Sequence, residues 1–267
     1  SFETFINKTP LIGKSFVCTD DKFLKKILRK KNKSNIITYG FENGSDLHPY
    51  NVKNSGKMMF FNISVKLNNK VEHIKNIELN LLGKHNVLNA TAAIGVAKSL
   101  GIKNNTIKAT LKNFLGVQRR LTKITNFRGS EIYDDYAHHP TEIISVLNAI
   151  KSGFKEKKIV TVFQPHRYSR VASLKKEFAN AFKDSDLVVL CPIYAASEKP
   201  IKNINHYELA KLINKNSKKD VICIENQFDL ERFIKRHTYG NEVIVCMGAG
   251  SISGWIREIA VNLKNEH

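Results

Sequence analysis

Three strings of this chain gather side chains able to do chemistry. The densest is Asp134-Asp135-Tyr136-Ala137-His138-His139-Pro140, which brings two carboxylates and two imidazoles together just before a proline suited to the first turn of a helix. That mix suits a ribose and phosphate pocket as well as a metal site, and a histidine pair can equally be structural. A second string, Phe163-Gln164-Pro165-His166-Arg167-Tyr168-Ser169-Arg170, sets Arg167 and Arg170 across an expected helix start behind an apolar run. A small carboxylate would gain there from the helix N-terminus and from forked guanidinium hydrogen bonds; the plainer reading is two surface arginines paired with nearby acids. The third, Gly83-Lys84-His85-Asn86-Val87-Leu88-Asn89-Ala90, puts Asn86 and Asn89 on one helix face. Their amides can offer donors and acceptors to a purine edge, or act as a helix cap and a solvated side chain.

Two glycine strings invite misreading. Gly13-Lys14-Ser15 imitates the end of a phosphate-binding loop, but the leading glycine would fall at Lys8 and Pro10 removes a backbone amide the loop needs. Gly13 is expected in a turn before a strand. Gly248, Gly250 and Gly254 resemble a dinucleotide fingerprint with the third glycine one residue late and after the last strand, so tight strand-to-helix turning is expected instead.

Holding these strings in place requires two kinds of architecture. From about Arg120 onward, apolar runs at Ile132-Tyr133, Ile159-Phe163, Leu187-Cys191, Val221-Ile224 and Val243-Met247 alternate with stretches of helical period at Thr141-Ile150, Leu174-Phe182, Tyr207-Asn214, Leu230-His237 and Ser251-Leu263. That order predicts a doubly wound α/β domain with a parallel sheet. Before it, a short helix, strands at Phe16-Cys18, Ile36-Tyr39, Met58-Val65 and Ile77-Leu81, a basic helix over Lys22 to Lys30, and helices over Asn86-Leu100 and Asn105-Phe114 are expected. Asn86 is placed to cap its helix, Ala90, Ala92, Ala93 and Ala97 to permit close packing, and Ile107, Leu111 and Phe114 to share a face. The boundary is expected near Leu121, giving domains 1–121 and 122–267.

At 267 residues and 42% hydrophobic content, two domains can each bury a core. No apolar run approaches the roughly 18 residues of a membrane span, so none is expected. Cys18, Cys191, Cys223 and Cys246 lie far apart without a C-x-x-C pair and read as reduced thiols of a cytosolic protein. The formal charge of +19 raises the question of nucleic acid, yet apart from Lys25 to Lys33 the lysines are dispersed over helix faces and no recognition motif accompanies them. A solvated basic surface, with no nucleic-acid or membrane partner, is expected. The chain opens at Ser1 in a helix-like stretch without a signal peptide, which predicts that an upstream portion is missing.

The strings GKHNVLNATAA, GVQRRL, DDYAHHPTEI, FQPHRYSR, YAASEKPI and MGAGSI, in this order over residues 83 to 254, resemble the signature of the Mur ligase family. HNVLNA is general to the family and to folylpolyglutamate synthase, whereas DDYAHHPTE followed by FQPHRYSR resembles the branch that adds L-alanine. The alternative branch ligates a preformed tripeptide to the same nucleotide sugar. Readings from other classes are a basic nucleic-acid binder and a non-catalytic α/β binding module.

The resemblance implies ATP-dependent ligation of L-alanine to UDP-N-acetylmuramate with ATP and Mg2+, in cytoplasmic peptidoglycan synthesis. The muramoyl carboxyl would become an acyl phosphate, which the alanine amine attacks through a tetrahedral intermediate. It implies that Asn86 and Asn89 contact adenine, Arg120 reaches the ATP phosphates and Asp135 meets the ribose. Arg167 and Arg170 would hold the alanine carboxylate, with Tyr136, His138 and His166 lining the same pocket; Arg120, His138 and Arg167 are the implied catalytic set. A full ligase also carries a UDP-sugar domain, a phosphate-binding loop and metal-binding residues that this sequence lacks, so the chain alone is expected to be inactive.

Overall fold

The computed structural model describes residues 2–10, 12–28 and 35–265. The end of the expected basic helix and the run to Lys33 lie partly outside them. The chain divides into two compact units, Ser1–Leu115 and Gly116–His267.

The first unit contains α1 (Phe2–Asn7), β1 (Ser15–Cys18), α2 (Lys22–Leu28), β2 (Ile36–Tyr39), β3 (Leu47–Ser55), β4 (Met58–Leu67), β5 (Lys70–Leu79), α3 (Lys84–Ser99) and α4 (Asn104–Asn113). Its sheet has the order β1-β2-β3-β4-β5, parallel from β1 to β3 and antiparallel from β3 to β5. In β4, Met59, Phe61, Ile63 and Val65 are buried at the two-residue period of a one-sided strand. On β5, Ile74 and Ile77 have opposite parity yet both are buried, because the register shifts between Phe61 and Ile63 and re-phases the strand. Asn76, at φ 57°, sits in that irregularity and its N–H donates to Asn62 Oδ1 at 2.9 Å.

Helix α3 lays Val87, Ala90, Thr91, Ile94 and Gly95 against this sheet, the helical spacing the sequence predicts. Of the four expected alanines only Ala90 is buried against the sheet; Ala92 and Ala97 are half-buried and Ala93 is exposed. Gly95 makes the close approach: a Cβ there would lie 2.2 Å from Leu47 Cδ1 and 2.8 Å from Phe16 Cε1. Asn86 is not the cap either. Gly83 holds that position at φ 96°, and Asn86, in the first turn, donates its amide to the Leu82 carbonyl at 2.7 Å. Phe114 lies beyond α4 and is exposed, so that face is Ile107 and Leu111 alone. Gly13 turns as expected, donating its N–H to the Pro10 carbonyl at 2.9 Å ahead of β1.

The second unit runs β6 (Thr122–Phe127), β7 (Ser130–Asp135), α5 (Pro140–Gly153), β8 (Lys158–Phe163), α6 (Tyr168–Ser173), α7 (Lys175–Ala179), β9 (Leu187–Leu190), α8 (His206–Ser217), β10 (Asp220–Cys223), α9 (Gln227–His237), β11 (Glu242–Met247) and α10 (Ile252–Lys264). Strand order is β10-β9-β8-β11-β7-β6, parallel throughout except for the β6–β7 hairpin. The α/β alternation is therefore as predicted, with β6 added at one edge, the expected Leu174-Phe182 helix shortened to α7, and α6 added ahead of it. All six residues of β11 are buried, as a strand flanked by two others and covered on its faces must be. All four cysteines are free. Among the described residues, no helix is long and apolar enough to cross a membrane.

Candidate active site

In the second unit, β8, β11 and β7 are neighbours, and the loops leaving their carboxyl ends carry most of the predicted chemistry. This is where open parallel sheets hold ligands. Strand β7 ends in two buried carboxylates that point to opposite faces. Asp134 Oδ2 accepts from Ser253 Oγ at 2.6 Å and from Arg257 at 3.2 Å, anchoring α10, while its Oδ1 is buried without a partner. Asp135 accepts the Leu121 N–H on one oxygen and the Ala137 N–H on the other, each at 2.7 Å. Burial pushes the Asp135 carboxyl up to about 6, against the opposing pull of those two amides and of the Arg120 cation.

Arg119 and Arg120 divide their work. The Arg119 carbonyl accepts the Tyr136 N–H at 2.8 Å, its guanidinium lies 4.5 Å from the Tyr136 ring centroid, and it donates to the Gly248 carbonyl at 2.8 Å. Its Nε is buried without a partner. Arg120 is exposed, 5.9 Å from the same ring. Gly248 cannot bear a side chain, because a Cβ would lie 2.8 Å from the Gln164 carbonyl oxygen. Gln164 in turn caps the start of α10, accepting the Ile252 N–H and donating to Ser251 Oγ, both at 3.0 Å. Gly248 and Gly250 thus serve strand-to-helix turning, and Gly254 lies inside α10.

After β7, Glu142 accepts the N–H groups of His138 and His139 at 2.9 and 3.1 Å, and His139 Nδ1 accepts from the Thr141 N–H, closing a capping box on α5. His139 is thus the cap, and His138 is the member turned to the site. Its ring lies 5.2 Å from Tyr136 and 6.0 Å from His166, centroid to centroid. His166 stacks on Tyr194 at 5.5 Å with rings 13° apart, and its Nδ1 lies 3.2 Å from an Arg170 guanidinium nitrogen. Burial lowers the His166 pKa, and the nearby Arg170, His138 and Arg167 add to the effect. Arg167 is exposed at φ 69°, held there by donating its N–H to the Tyr194 carbonyl at 2.8 Å. Tyr136, His138, His166, Arg167 and Arg170 are therefore brought together.

One part of the expected anion site is corrected. Helix α6 is only six residues long, and the Glu198 carboxylate already takes the Ser169 N–H at 2.9 Å and the Ser169 hydroxyl at 2.6 Å. The start of α6 is therefore already occupied by a carboxylate of the chain itself. Sequence reasoning gave Glu198, Glu142, Gln164 and Arg119 no role. Glu198 lies inside the YAASEKPI string, and a cap supplied 29 residues away leaves no local spacing to detect. Asn86 and Asn89 belong to the first unit, where Asn89 donates to Asn86 Oδ1 at 3.4 Å. Among the described residues no group of three or more His, Cys, Asp or Glu side chains could hold a metal ion.

Comparison with known proteins agrees with this architecture. The pattern of the Mur ligase middle domain matches residues 2–97, and that of the Mur ligase, glutamate ligase domain matches residues 119–250. The chain belongs to the Mur ligase family. Within it, the chain is similar to the UDP-N-acetylmuramate–L-alanine ligase of Pelagibacter ubique (strain HTCC1062), 46% identical over 97% of this chain and 56% of that protein. It is 39% identical to the same-named ligase of Ruthia magnifica subsp. Calyptogena magnifica, over 94% of this chain and 54% of that protein. The solved UDP-N-acetylmuramate-alanine ligase of Thermotoga maritima shares the fold, with a TM-score of 0.74 at 24% identity, covering 94% of this chain and 52% of that one. The chain spans about half the length of the curated relatives it matches.

Proposed function

We propose that the protein carrying this chain ligates L-alanine to UDP-N-acetylmuramate at the expense of ATP, through an acyl phosphate, in cytoplasmic peptidoglycan synthesis. The supporting observation is the cluster at the carboxyl ends of β7 and β8, where Arg167 and Arg170 flank His166 beside His138 and Tyr136. Two guanidinium groups and a compact aromatic wall suit a small amino acid held by its carboxylate. In this reading Arg167 and Arg170 bind that carboxylate and Arg120 meets the phosphates. Asp135 takes a ribose hydroxyl, each of its oxygens having a further lone pair beyond its backbone bond. Asn86 and Asn89 read the adenine edge. Positioning and charge stabilisation dominate such a transfer. Mg2+ belongs to the proposed reaction; among the described residues no group of three or more His, Cys, Asp or Glu side chains could hold it.

The test is ATP-dependent phosphate release with UDP-N-acetylmuramate and L-alanine. It uses a chimera that joins the N-terminal part of the Pelagibacter relative to this chain, and the isolated chain as the inactive control. Alanine-dependent release that falls at least about 100-fold in Arg167→Ala supports the reading. Alanine-independent or absent release points to the tripeptide-adding branch or to a binding module, and activity of the chain alone refutes the expected inactivity.

A further inference from the structure

The rings of His138 and His166 meet different partners at the same nitrogen. His138 Nδ1 lies 2.9 Å from the Tyr136 carbonyl oxygen and 3.3 Å from Glu142 Oε2, and both of these can only accept. Nδ1 must therefore carry the hydrogen, which makes Nε2 the lone-pair nitrogen. His166 Nδ1 faces the Arg170 guanidinium, which can only donate. There Nδ1 holds the lone pair and Nε2 carries the hydrogen. The second ring nitrogen's role follows from the bond the first one makes.

We propose that the two imidazoles are locked in opposite tautomers so that His138 Nε2 is the base that deprotonates the incoming ammonium, while His166 Nε2–H helps to bind the carboxylate. This rests on the amino-acid ligase reading. The two rings stand 6.0 Å apart, a spacing that lets one α-amino acid touch both. An ammonium has no lone pair and cannot attack. Transfer of one proton to His138 Nε2 yields the neutral amine and an imidazolium, whose Nδ1–H stays bonded to Tyr136 and close to Glu142. The amine's lone pair then forms the C–N bond at the acyl phosphate carbon. As the tetrahedral intermediate collapses, the C–O bond to phosphate breaks and phosphate departs with that electron pair. It takes the second nitrogen proton and leaves as hydrogen phosphate. Glu142 is a positioning residue here, since it holds the ring through Nδ1 and the backbone through the His138 N–H.

Two measurements test this separately from the ligase reading. Long-range 1H–15N correlation spectra of the 267-residue chain, with His138→Gln and His166→Gln assigning the signals, should show His138 protonated at Nδ1 and His166 at Nε2 when both are neutral. Either ring in the other tautomer overturns the proposal, whatever the protein's activity. In the chimera, near neutral pH, acyl phosphate is trapped either by L-alanine or by hydroxylamine, a nucleophile already uncharged there. His138→Gln should reduce alanyl product at least about 100-fold more than hydroxamate. Equal loss of both products overturns the base assignment, and absence of hydroxamate from the unsubstituted chimera sinks the ligase reading instead.

Discussion

Ser169 presents both its backbone N–H and its hydroxyl to one carboxylate, that of Glu198, at 2.9 and 2.6 Å. The bond joins the segment that carries His166, Arg167 and Arg170 to the segment after β9, where Ala196 and Ser197 take left-handed φ of 49° and 68°. Tyr194 adds a second tie, exchanging backbone bonds with Pro165 and Arg167.

Glu198→Ala should therefore act through the arginine pair. The expected outcome is a KM for L-alanine raised several-fold in the chimera with a smaller change in kcat, because the proposed clamp would be misplaced and not removed. Glu198→Gln, which keeps one acceptor for Ser169, should recover part of the loss. Equal effects of both variants on KM for ATP would show general destabilisation instead.

Asp135 should leave a signature in the pH dependence of stability. Its folded-state value of about 6 lies above the ordinary 3.8, so the folded chain holds this proton more tightly than the unfolded one. The contribution is complete below about pH 4 and lost as pH rises through about 6, a change of about 3 kcal/mol. Asp135→Asn should remove that slope, while its loss of one backbone bond costs a pH-independent amount of about 1–3 kcal/mol. Urea denaturation of the chain and the variant at about pH 4.5 and about pH 7 checks the difference in slopes; parallel curves would contradict it.

Gly95 predicts a packing defect in the first unit. A branched side chain there must displace Leu47, which is fully buried, and the Phe16 ring. Gly95→Val should destabilise that unit by about 1–3 kcal/mol, outweighing the improved helix propensity of under about 1 kcal/mol. An unchanged denaturation midpoint would show that the sheet can yield.

The second unit was legible because its buried strands are unbroken apolar runs and its helices keep a clear period. Two strands escaped for physical reasons. In β3, Pro49, Asn51, Lys53 and Asn54 hide the alternation, and pairing with β4 supplies what the local sequence does not. In β6 the edge position tolerates Thr122, Lys123, Thr125 and Asn126. The site residues that touch a ligand in the proposed reaction sit in recognisable strings. Those that hold them, Arg119, Glu142, Gln164 and Glu198, act across loop contacts that carry no periodic signal. Asn86 illustrates the opposite error, since it looks like a cap by type while Gly83 takes that place through its backbone.

Asp135 grips one amide from the segment of Arg119 and Arg120 and another from the segment of Tyr136 and His138. Neither wall can move further than a hydrogen bond allows without freeing the other. In the proposed reaction the phosphate and amino-acid subsites would then share one anchor, so that ordering either wall would help to order the other. Linkage of that kind would be reciprocal, each ligand tightening the other's binding by the same factor, with Asp135 and the Arg119–Tyr136 backbone bond as its two threads.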